Sequence, residues 1–324
     1  MQVRLQNDLQ RRPRPLHLGS NPKAGLPQLP LRGAGTRRPR LRGTTAGRGR
    51  EPRPNQQPLH LGGALRRLGR LRPRRGPFTM GIESMKQLNI WITGASSGIG
   101  RACTLTLAGA GHHVLASARS QDTLAELADE AQGLDGSVST LPCDVTGVAS
   151  VARCVEWISD RWRGLDVVIP NAGIGYFDPL ENAKIEEWHA MVDVNVTGVL
   201  NTLHATLPLL LASKGHVVNI GSLAARQVFP NSGIYCATKH AVLAISESLR
   251  TEFKGQLAVT TLNPGAVNTP FIDRTTNNEL RANYRPQFDV GMTPEYVAEA
   301  ALFAVESRGK GIVSELTIRP DTRH

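Results

Sequence analysis

The stretch "NIWITGASSGIG" at residues 89–100 decides the fold of this chain. Its apolar and β-branched beginning predicts a strand, and the glycines that follow predict a tight turn leading into a helix. Gly94 permits a sharp exit from the strand, Gly98 lets backbone approach a ligand closely, and Gly100 lets the helix pack tightly on the sheet. A helix that starts after such a turn presents free N–H groups, which bind anions such as phosphate. The glycine spacing differs from the commonest nucleotide-binding pattern, so the turn alone also fits an ordinary strand–helix loop.

Strands and helices alternate along the rest of residues 80–324. The pattern predicts strands at 88–92, 113–118, 138–141, 166–169, 216–220, 259–262 and 313–318. It predicts helices at 99–110, 123–131, 148–162, 185–211, 235–253 and 294–305. We therefore expect a single α/β domain, a Rossmann-type doubly wound parallel sheet of about seven strands with helices on both faces. In such sheets ligands bind beyond the carboxyl ends of the strands.

The charge of the chain is divided unevenly between two segments. The whole chain carries a net charge of +11, yet residues 1–79 hold 18 Arg and one Lys against Asp8 and Glu51 only. Residues 80–324 are net negative, so the basic balance says nothing about the partners of the α/β domain. The first segment also has 11 of the 21 prolines and no helical or alternating apolar pattern, which predicts disorder.

The role of residues 1–79 stays open between three readings. An arginine-rich segment can bind nucleic acid or another anionic surface, with the domain as sensor or passenger, but a single Lys is atypical of basic arms. A mitochondrial presequence fits the Arg content, although the prolines prevent a continuous amphipathic helix. We favour the third reading, in which the segment is translated GC-rich upstream sequence and the natural start is Met80 or Met85.

Other compositional features exclude several classes of protein. The four cysteines are scattered without a CxxC pair, which predicts reduced thiols in a cytoplasmic protein. No apolar run approaches the length of a membrane span, so we expect no membrane partner. The histidines and tryptophans show neither metal-ligand spacing nor a base-stacking pattern, so we expect no metal site and no nucleic-acid binding by this domain.

Three residues in "NIGSLAARQVFPNSGIYCATK" have the chemistry of a proton-transfer site. Tyr235 and Lys239 lie four apart at a predicted helix start and share one face. A nearby ammonium favours the phenolate, so we expect Lys239 to lower the pKa of Tyr235. Ser222 follows a predicted strand and supplies a hydroxyl that can orient a carbonyl or alcohol, and it lacks the Gly-x-Ser-x-Gly context of a nucleophilic serine.

The end of the second strand, "VLASARS", bears on nucleotide selectivity. An acidic residue at this place binds the adenosine ribose of NAD, but here Ala118 is followed by Arg119 and Ser120. A guanidinium suits a 2′-phosphate, although a solvated surface arginine is an equally simple interpretation.

Residues 86–324 resemble the short-chain dehydrogenase/reductase family. The resemblance rests on TGASSGIG at 93–100, CDVT at 143–146, NAG at 171–173, VNVTG at 194–198, Ser222, the Tyr235/Lys239 pair and PGAVNT at 264–269, in the family's order and spacing. The departures are small: "PNAG" replaces the usual NNAG, and "IGS" replaces the common ISS. The residues after the second strand resemble the NADP-preferring branch.

This resemblance implies roles for individual residues. Tyr235 would be the acid/base, Lys239 would lower its pKa and hold the nicotinamide ribose, and Ser222 would bond the reacting oxygen. Asn195 would complete the catalytic set, kinking its helix and anchoring a water. The cofactor NADP(H) would be bound by Gly94, Ser96, Ser97, Gly98, Ile99, Gly100, Arg119, Ser120, Asp144, Val145, Asn171, Ala172, Gly173, Tyr235, Lys239, Pro264, Gly265, Val267 and Thr269.

The resemblance also implies a reaction and an assembly. The protein would be an NADP-dependent oxidoreductase that interconverts a carbonyl and a secondary alcohol by hydride transfer. Substrate walls would come from loops containing Ser222, Ile174, Phe229 and Phe271, with the polar segment 270–293 as a mobile lid. Arg226 or Arg274 could pair with a substrate carboxylate, and the C-terminal sequence favours small 3-hydroxy acids or related alcohols. A homotetramer or dimer is expected.

Overall fold

Residues 87–321 and 323 are described in a computed structural model of the chain. In this part of the chain seven parallel strands form one sheet in the order β3-β2-β1-β4-β5-β6-β7. The strands are β1 Asn89–Thr93, β2 His113–Ala118, β3 Ser137–Pro142, β4 Val167–Ile169, β5 His216–Ile220, β6 Ala258–Pro264 and β7 Glu315–Ile318. The expected sheet is confirmed. The predictions for residues 1–79 lie outside the described residues.

Helices connect the strands on both faces of the sheet. They are α1 Gly98–Gly109, α2 Gln121–Glu130, α3 Val148–Trp162, α4 Ile185–Val192, α5 Gly198–Ser213, α6 Gly233–Glu252, α7 Asn278–Asp289 and α8 Pro294–Glu306. Helix α7 is missing from the sequence-based set. The segment predicted as a polar lid is organised as a 3₁₀ turn, Pro270–Arg274, followed by this helix.

The two faces of β1 show why the layers form. Ile90 and Ile92 point to one side, where they join Leu107 of α1 and Ala301 of α8 in a buried cluster. Trp91 points to the other side and packs in a second cluster that includes residues of α3, α5 and α6. Because side chains alternate along a strand, an apolar run of this length is buried on both faces.

The strand order reverses direction at β1. The chain moves from β1 outward to β2 and β3, then returns to β4 on the opposite side of β1. Connections on the two sides of this point diverge, which opens a crevice at the carboxyl ends of β1 and β4. The "TGASSGIG" turn and the loop that starts at Pro170 both lie there.

The helical stretch Ile185–Ser213 is continuous but irregular. Between α4 and α5 the residues Asp193–Thr197, which include Asn195, form a π-helical turn. By length and mean hydropathy (1.3) this stretch could cross a membrane, which corrects the expectation that no apolar run reaches that length. A core helix passes the same test, and Val199, Leu203 and Leu210 of α5 are buried against the sheet.

Two further sequence-based expectations concern side chains. All four cysteines are buried and unbridged in the structure. Among the residues that the structure describes, no group of three or more His, Cys, Asp or Glu side chains is placed to hold a metal ion.

Candidate active site

A cleft of about 1220 Å³ lies at the carboxyl ends of the strands. Nearly every residue predicted to bind cofactor or substrate lines it, including the turn after β1, the end of β2, and the loops after β3, β4, β5 and β6. The exceptions among the predicted residues are Gly100 and Asn195, which are buried behind the cleft wall, and Arg226, which is exposed outside the cleft.

The turn after β1 depends on the conformation of its glycines and on hydrogen bonds from the Asn171 side chain. Gly94 and Gly98 have φ values of +66° and +52°, a backbone conformation that glycine adopts without strain. The side-chain amide of Asn171 donates to the carbonyl oxygens of Thr93 (2.9 Å) and Gly94 (3.0 Å). A Cβ on Gly100 would lie 2.3 Å from the Gly94 oxygen and 2.4 Å from Asn171 Nδ2. The predicted role of Gly100 in close packing is therefore visible in the geometry.

The first turn of α1 fits an anionic ligand. Ser97 stands at the N-cap, but its side chain makes no capping hydrogen bond, whereas Ser120 at the start of α2 accepts from the backbone N–H of Thr123 (3.4 Å). The helix thus begins with N–H groups that no capping side chain satisfies, directly beside the Ser96 and Ser97 hydroxyls in the cleft. Unsatisfied N–H groups and the helix dipole stabilise a phosphate at this position.

The residues after β2 and β3 form the other end of this ligand site. Arg119 is exposed and lines the cleft. The pKa of Asp144 is lowered mainly by a hydrogen bond from the backbone of Thr146 to its carboxylate, and the charge of Arg119 contributes in the same direction. Ser120 uses its hydroxyl to cap α2. The last residues of β2, Ser117 and Ala118, are not acidic, and a cation that follows them fits a phosphorylated ribose better than a free 2′-hydroxyl.

Tyr235 and Lys239 lie on one face of α6, where burial controls both pKa values. The Lys239 ammonium is 5.9 Å from the centroid of the Tyr235 ring and donates to the Ile220 carbonyl oxygen at 2.9 Å. Burial lowers the pKa of Lys239 to about 8. Burial also raises the pKa of Tyr235 to about 12, although its hydrogen bond with Ser222 acts in the opposite direction. The expected lowering of the Tyr235 pKa by Lys239 is therefore wrong for this structure, because desolvation of the phenolate dominates.

Ser222 is placed by the strand that precedes it. Its backbone N–H donates to Asn263 Oδ1 at 3.2 Å, and its hydroxyl accepts from the Ala224 N–H at 3.1 Å. The same hydroxyl lies near the Tyr235 phenol and helps to lower its pKa. A carbonyl oxygen between these two groups would receive hydrogen bonds from both.

Asn195 supports the site from behind. It is buried, lies in the π-helical turn, and exchanges two hydrogen bonds with the backbone of Ile174. Its amide nitrogen also donates to Thr238 on α6 at 3.0 Å. The side chain thus fixes the loop after β4 relative to the helix that contains Tyr235 and Lys239.

The substrate side of the cleft is more aromatic than the sequence suggested. Ile174, Phe229 and Phe271 line it as expected. Sequence reasoning missed Tyr284 and Phe288 of α7, whose spacing of four places both rings on one helix face. Arg226 is unsuited to the carboxylate-binding role considered for it, because its Nε and Nη2 atoms are bonded to Glu315 and it does not line the cleft. Arg274 lines the cleft.

Comparison with known proteins agrees with this geometry. The family model for short chain dehydrogenase matches residues 88–280. An uncharacterized oxidoreductase of Staphylococcus saprophyticus is 35% identical over 246 residues, which cover 75% of this chain and 99% of the relative.

Two solved structures extend the comparison. The structure of an alcohol dehydrogenase from the archaeon Thermococcus sibiricus, complexed with 5-hydroxy-NADP, is 32% identical with a TM-score of 0.67, covering 74% of this chain and 99% of that one. A closed serine dehydrogenase complexed with NADP⁺ is 30% identical with a TM-score of 0.68, covering 73% and 96%. Similar structures hold either NADP or NAD. The fold, the matched family model and these relatives together show that this chain belongs to the short-chain dehydrogenase family.

Proposed function

We propose that this oxidoreductase interconverts a carbonyl and a secondary alcohol with NADP(H), using Tyr235 as the acid/base. The observation that carries the proposal is that the Tyr235 phenol and the Ser222 hydroxyl meet in the cleft, with the buried Lys239 ammonium 5.9 Å from the centroid of the tyrosine ring. Bound NADPH would supply the hydride to the carbonyl carbon.

The protein's own residues supply the proton and the orientation. In the reductive direction Tyr235 donates its phenolic proton to the carbonyl oxygen, and Ser222 holds that oxygen by a second hydrogen bond. A phenol keeps its proton at neutral pH, so the acid needed for carbonyl reduction is present. Because burial raises the pKa of Tyr235 to about 12, release of this proton needs a nearby positive charge to stabilise the phenolate.

Lys239 is suited to two tasks in this scheme. Its buried ammonium would stabilise negative charge that develops on Tyr235 as the proton leaves. It also lines the cleft beside Tyr235, where it can donate to ribose hydroxyls of the cofactor. Asn195 acts through the loop and helix that it joins, and holds Ile174 against the site.

Arg119 supports a preference for NADP over NAD. It lines the cleft at the end of β2, and the two residues before it, Ser117 and Ala118, are not acidic. A guanidinium pairs with a 2′-phosphate by charge-assisted hydrogen bonds and gains much less from a hydroxyl.

A small 3-hydroxy acid is one candidate substrate. The similarity to a serine dehydrogenase supports it, and Arg274 is a cleft-lining cation that could meet a carboxylate. A homo-oligomeric cytoplasmic protein is also proposed. Exposed Ile185, Val192 and Leu200 on the long helix are apolar groups that a second copy would cover.

Removing the phenolic oxygen of Tyr235 tests the proposed reaction. Tyr235→Phe should lower kcat for carbonyl reduction by at least about 10²-fold, since proton transfer by a positioned group contributes roughly 10²–10⁴-fold. NADPH binding, measured by fluorescence titration, should change little. The matched control is Tyr296→Phe, which removes the hydroxyl of an exposed tyrosine on α8. Normal turnover by Tyr235→Phe would refute the assignment.

A further inference from the structure

Four aromatic side chains gather beside Tyr235 on the substrate side of the cleft. Phe177 follows β4, Phe271 lies in the 3₁₀ turn after β6, and Tyr284 and Phe288 lie on α7. We call this set the aromatic box. The centroids of Phe271 and Phe177 are 5.3 Å and 6.2 Å from that of Tyr235. The phenol that donates the proton is therefore bordered by rings.

The rings of the aromatic box hold one another in place. Phe177 contacts the other three members, at centroid distances of 6.2 Å to Phe271, 5.3 Å to Tyr284 and 6.3 Å to Phe288. Phe271 and Phe288 stack at 6.2 Å with an interplanar angle of 29°. These separations lie in the favourable range for aromatic pairs. The box is a packed wall made from three separate chain segments.

Local backbone and polar contacts fix the wall. A Cβ on Gly175 would lie 2.4 Å from Phe271 Cζ, so the glycine is what admits the ring. The Tyr284 hydroxyl donates to the Pro230 carbonyl oxygen (3.2 Å) and accepts from Asn231 Nδ2 (3.4 Å). With its hydroxyl engaged by the loop after β5, Tyr284 offers the cleft an apolar ring.

The charged groups near the box are mostly engaged elsewhere. Lys239 donates to a backbone carbonyl, Arg226 is paired with Glu315, and Arg285 of α7 is paired with Asp273. Arg274 and Arg319, which also line the cleft, are exposed to solvent. A carboxylate placed among the rings would lose its hydration without gaining a partner there, which is strongly unfavourable.

We propose that the aromatic box selects carbonyl compounds with a neutral, apolar and preferably aromatic group near the reacting carbon, in preference to small acids. The inference rests on the proposed carbonyl reduction and names the substrate class of that site. This substrate class differs from the small 3-hydroxy acid considered above, whose carboxylate would need a cationic partner. Contacts between the substrate and the rings of the aromatic box, rather than a salt bridge, would then position the substrate beside Tyr235.

Three methyl ketones that share the same two-carbon spacer test this selectivity. In 4-phenylbutan-2-one, 5-methylhexan-2-one and 4-oxopentanoate the same two-carbon chain ends in a phenyl, an isopropyl or a carboxylate group. We expect kcat/KM with NADPH to fall in that order, with the phenyl ketone about 100-fold above the acid, since burying one large apolar group changes a binding constant by roughly this factor. An acid preferred over both apolar ketones would overturn the proposal.

Variants locate the selectivity in the box. Phe288→Ala should lower kcat/KM for the phenyl ketone about tenfold and leave that for 4-oxopentanoate within about twofold, because one edge of the ring contact is lost. Phe288→Leu keeps an apolar side chain and should retain activity with 5-methylhexan-2-one. Phe303→Ala, which removes an exposed ring from α8, is the control and should alter neither ratio. Melting temperatures show whether each variant is folded.

Two further experiments distinguish failure of the substrate-class proposal from failure of the proposed reaction. If Arg274→Ala abolishes reduction of 4-oxopentanoate and that acid is the better substrate, the salt-bridge alternative is correct and the box proposal fails. If no ketone is reduced at all, the reaction itself is wrong, and calorimetric titration of the three ketones into the NADPH-saturated protein still tests the box. Tighter binding of the phenyl ketone than of the acid supports it; equal or weaker binding contradicts it.

Discussion

The side-chain amide of Asn195 and the backbone of Ile174 form a reciprocal pair of hydrogen bonds. Asn195 Oδ1 accepts from the Ile174 N–H, and Asn195 Nδ2 donates to the Ile174 carbonyl oxygen, each at 2.8 Å. The pair joins the π-helical turn to the loop that follows β4 and lines the substrate side of the cleft. An amide can make both bonds at once, whereas a carboxylate or an aliphatic group cannot.

Asn195→Ala should therefore weaken both stability and catalysis. It leaves a buried N–H and a buried carbonyl of Ile174 without partners, at a cost of about 2–4 kcal/mol in the free energy of unfolding. Urea denaturation measures this loss, and kcat/KM should fall as Ile174 moves relative to Tyr235. Asn182→Ala, at an exposed asparagine, is the control and should stay within about 0.5 kcal/mol of the original protein. Equal stability of the two variants would contradict the bracing role.

The same substitution, glycine to alanine, should have different effects at two positions of α1. A Cβ at position 100 would meet the Gly94 oxygen at 2.3 Å, so Gly100→Ala should distort the turn and weaken NADPH binding at least about tenfold. A Cβ at position 109 has Leu134 as its nearest neighbour, at 4.0 Å. Gly109→Ala should leave binding unchanged and stabilise the helix by up to about 1 kcal/mol. Calorimetric titration with NADPH compares the two, and unchanged affinity in Gly100→Ala would contradict the close-packing argument.

The parts of the site that are local in sequence were the predictable ones. The glycine turn, the strand alternation and the Tyr235–Lys239 spacing all depend on residues a few positions apart. Asn195 could be identified only by resemblance, because its partner Ile174 lies 21 positions away and its role depends on a π-helical turn. The direction of the Tyr235 pKa shift was missed since it depends on the depth of burial, which spacing does not reveal.

Helix α7 was missed for a different physical reason. Its residues are mainly polar, none is buried, and Pro286 lies within it, so no apolar stripe marks the helix. The available signal was the spacing of Tyr284 and Phe288, which puts two rings on one side. Their contacts with Phe177 join segments about a hundred positions apart in the chain, which no local pattern can specify.

The buried ammonium of Lys239 should make stability depend on pH. Its pKa is about 8 in the folded protein against an ordinary value of 10.5. Between these two values the unfolded chain binds more protons than the folded protein, so the free energy of unfolding rises as the pH increases. From pH 7.5 to 9.5 this contribution should amount to about 1–2 kcal/mol in the cofactor-free protein, at about 1.4 kcal/mol per pKa unit.

Lys239→Met isolates this contribution. Urea denaturation at the two pH values should show a smaller rise in Lys239→Met than in the original protein. Lys310→Met, at an exposed lysine, should keep the full rise. The same pH dependence in all three proteins would show that Lys239 is not the group responsible.

Arg119 should determine the choice between the two nicotinamide cofactors. It lines the cleft at the end of β2, and Arg119→Gln removes the charge but keeps a hydrogen-bonding side chain of similar length. We expect the ratio of kcat/KM for NADPH to that for NADH to fall about 10–100-fold, since a charge-assisted hydrogen bond contributes roughly 1.5–3 kcal/mol. Arg101→Gln is the matched control, because that guanidinium is paired with Glu130 and its removal should not change the ratio.

The phosphate contact should also weaken with ionic strength, so the NADPH preference of the original protein should shrink in concentrated salt. A ratio that is insensitive to both Arg119→Gln and salt would mean that the 2′-phosphate is recognised elsewhere or not at all.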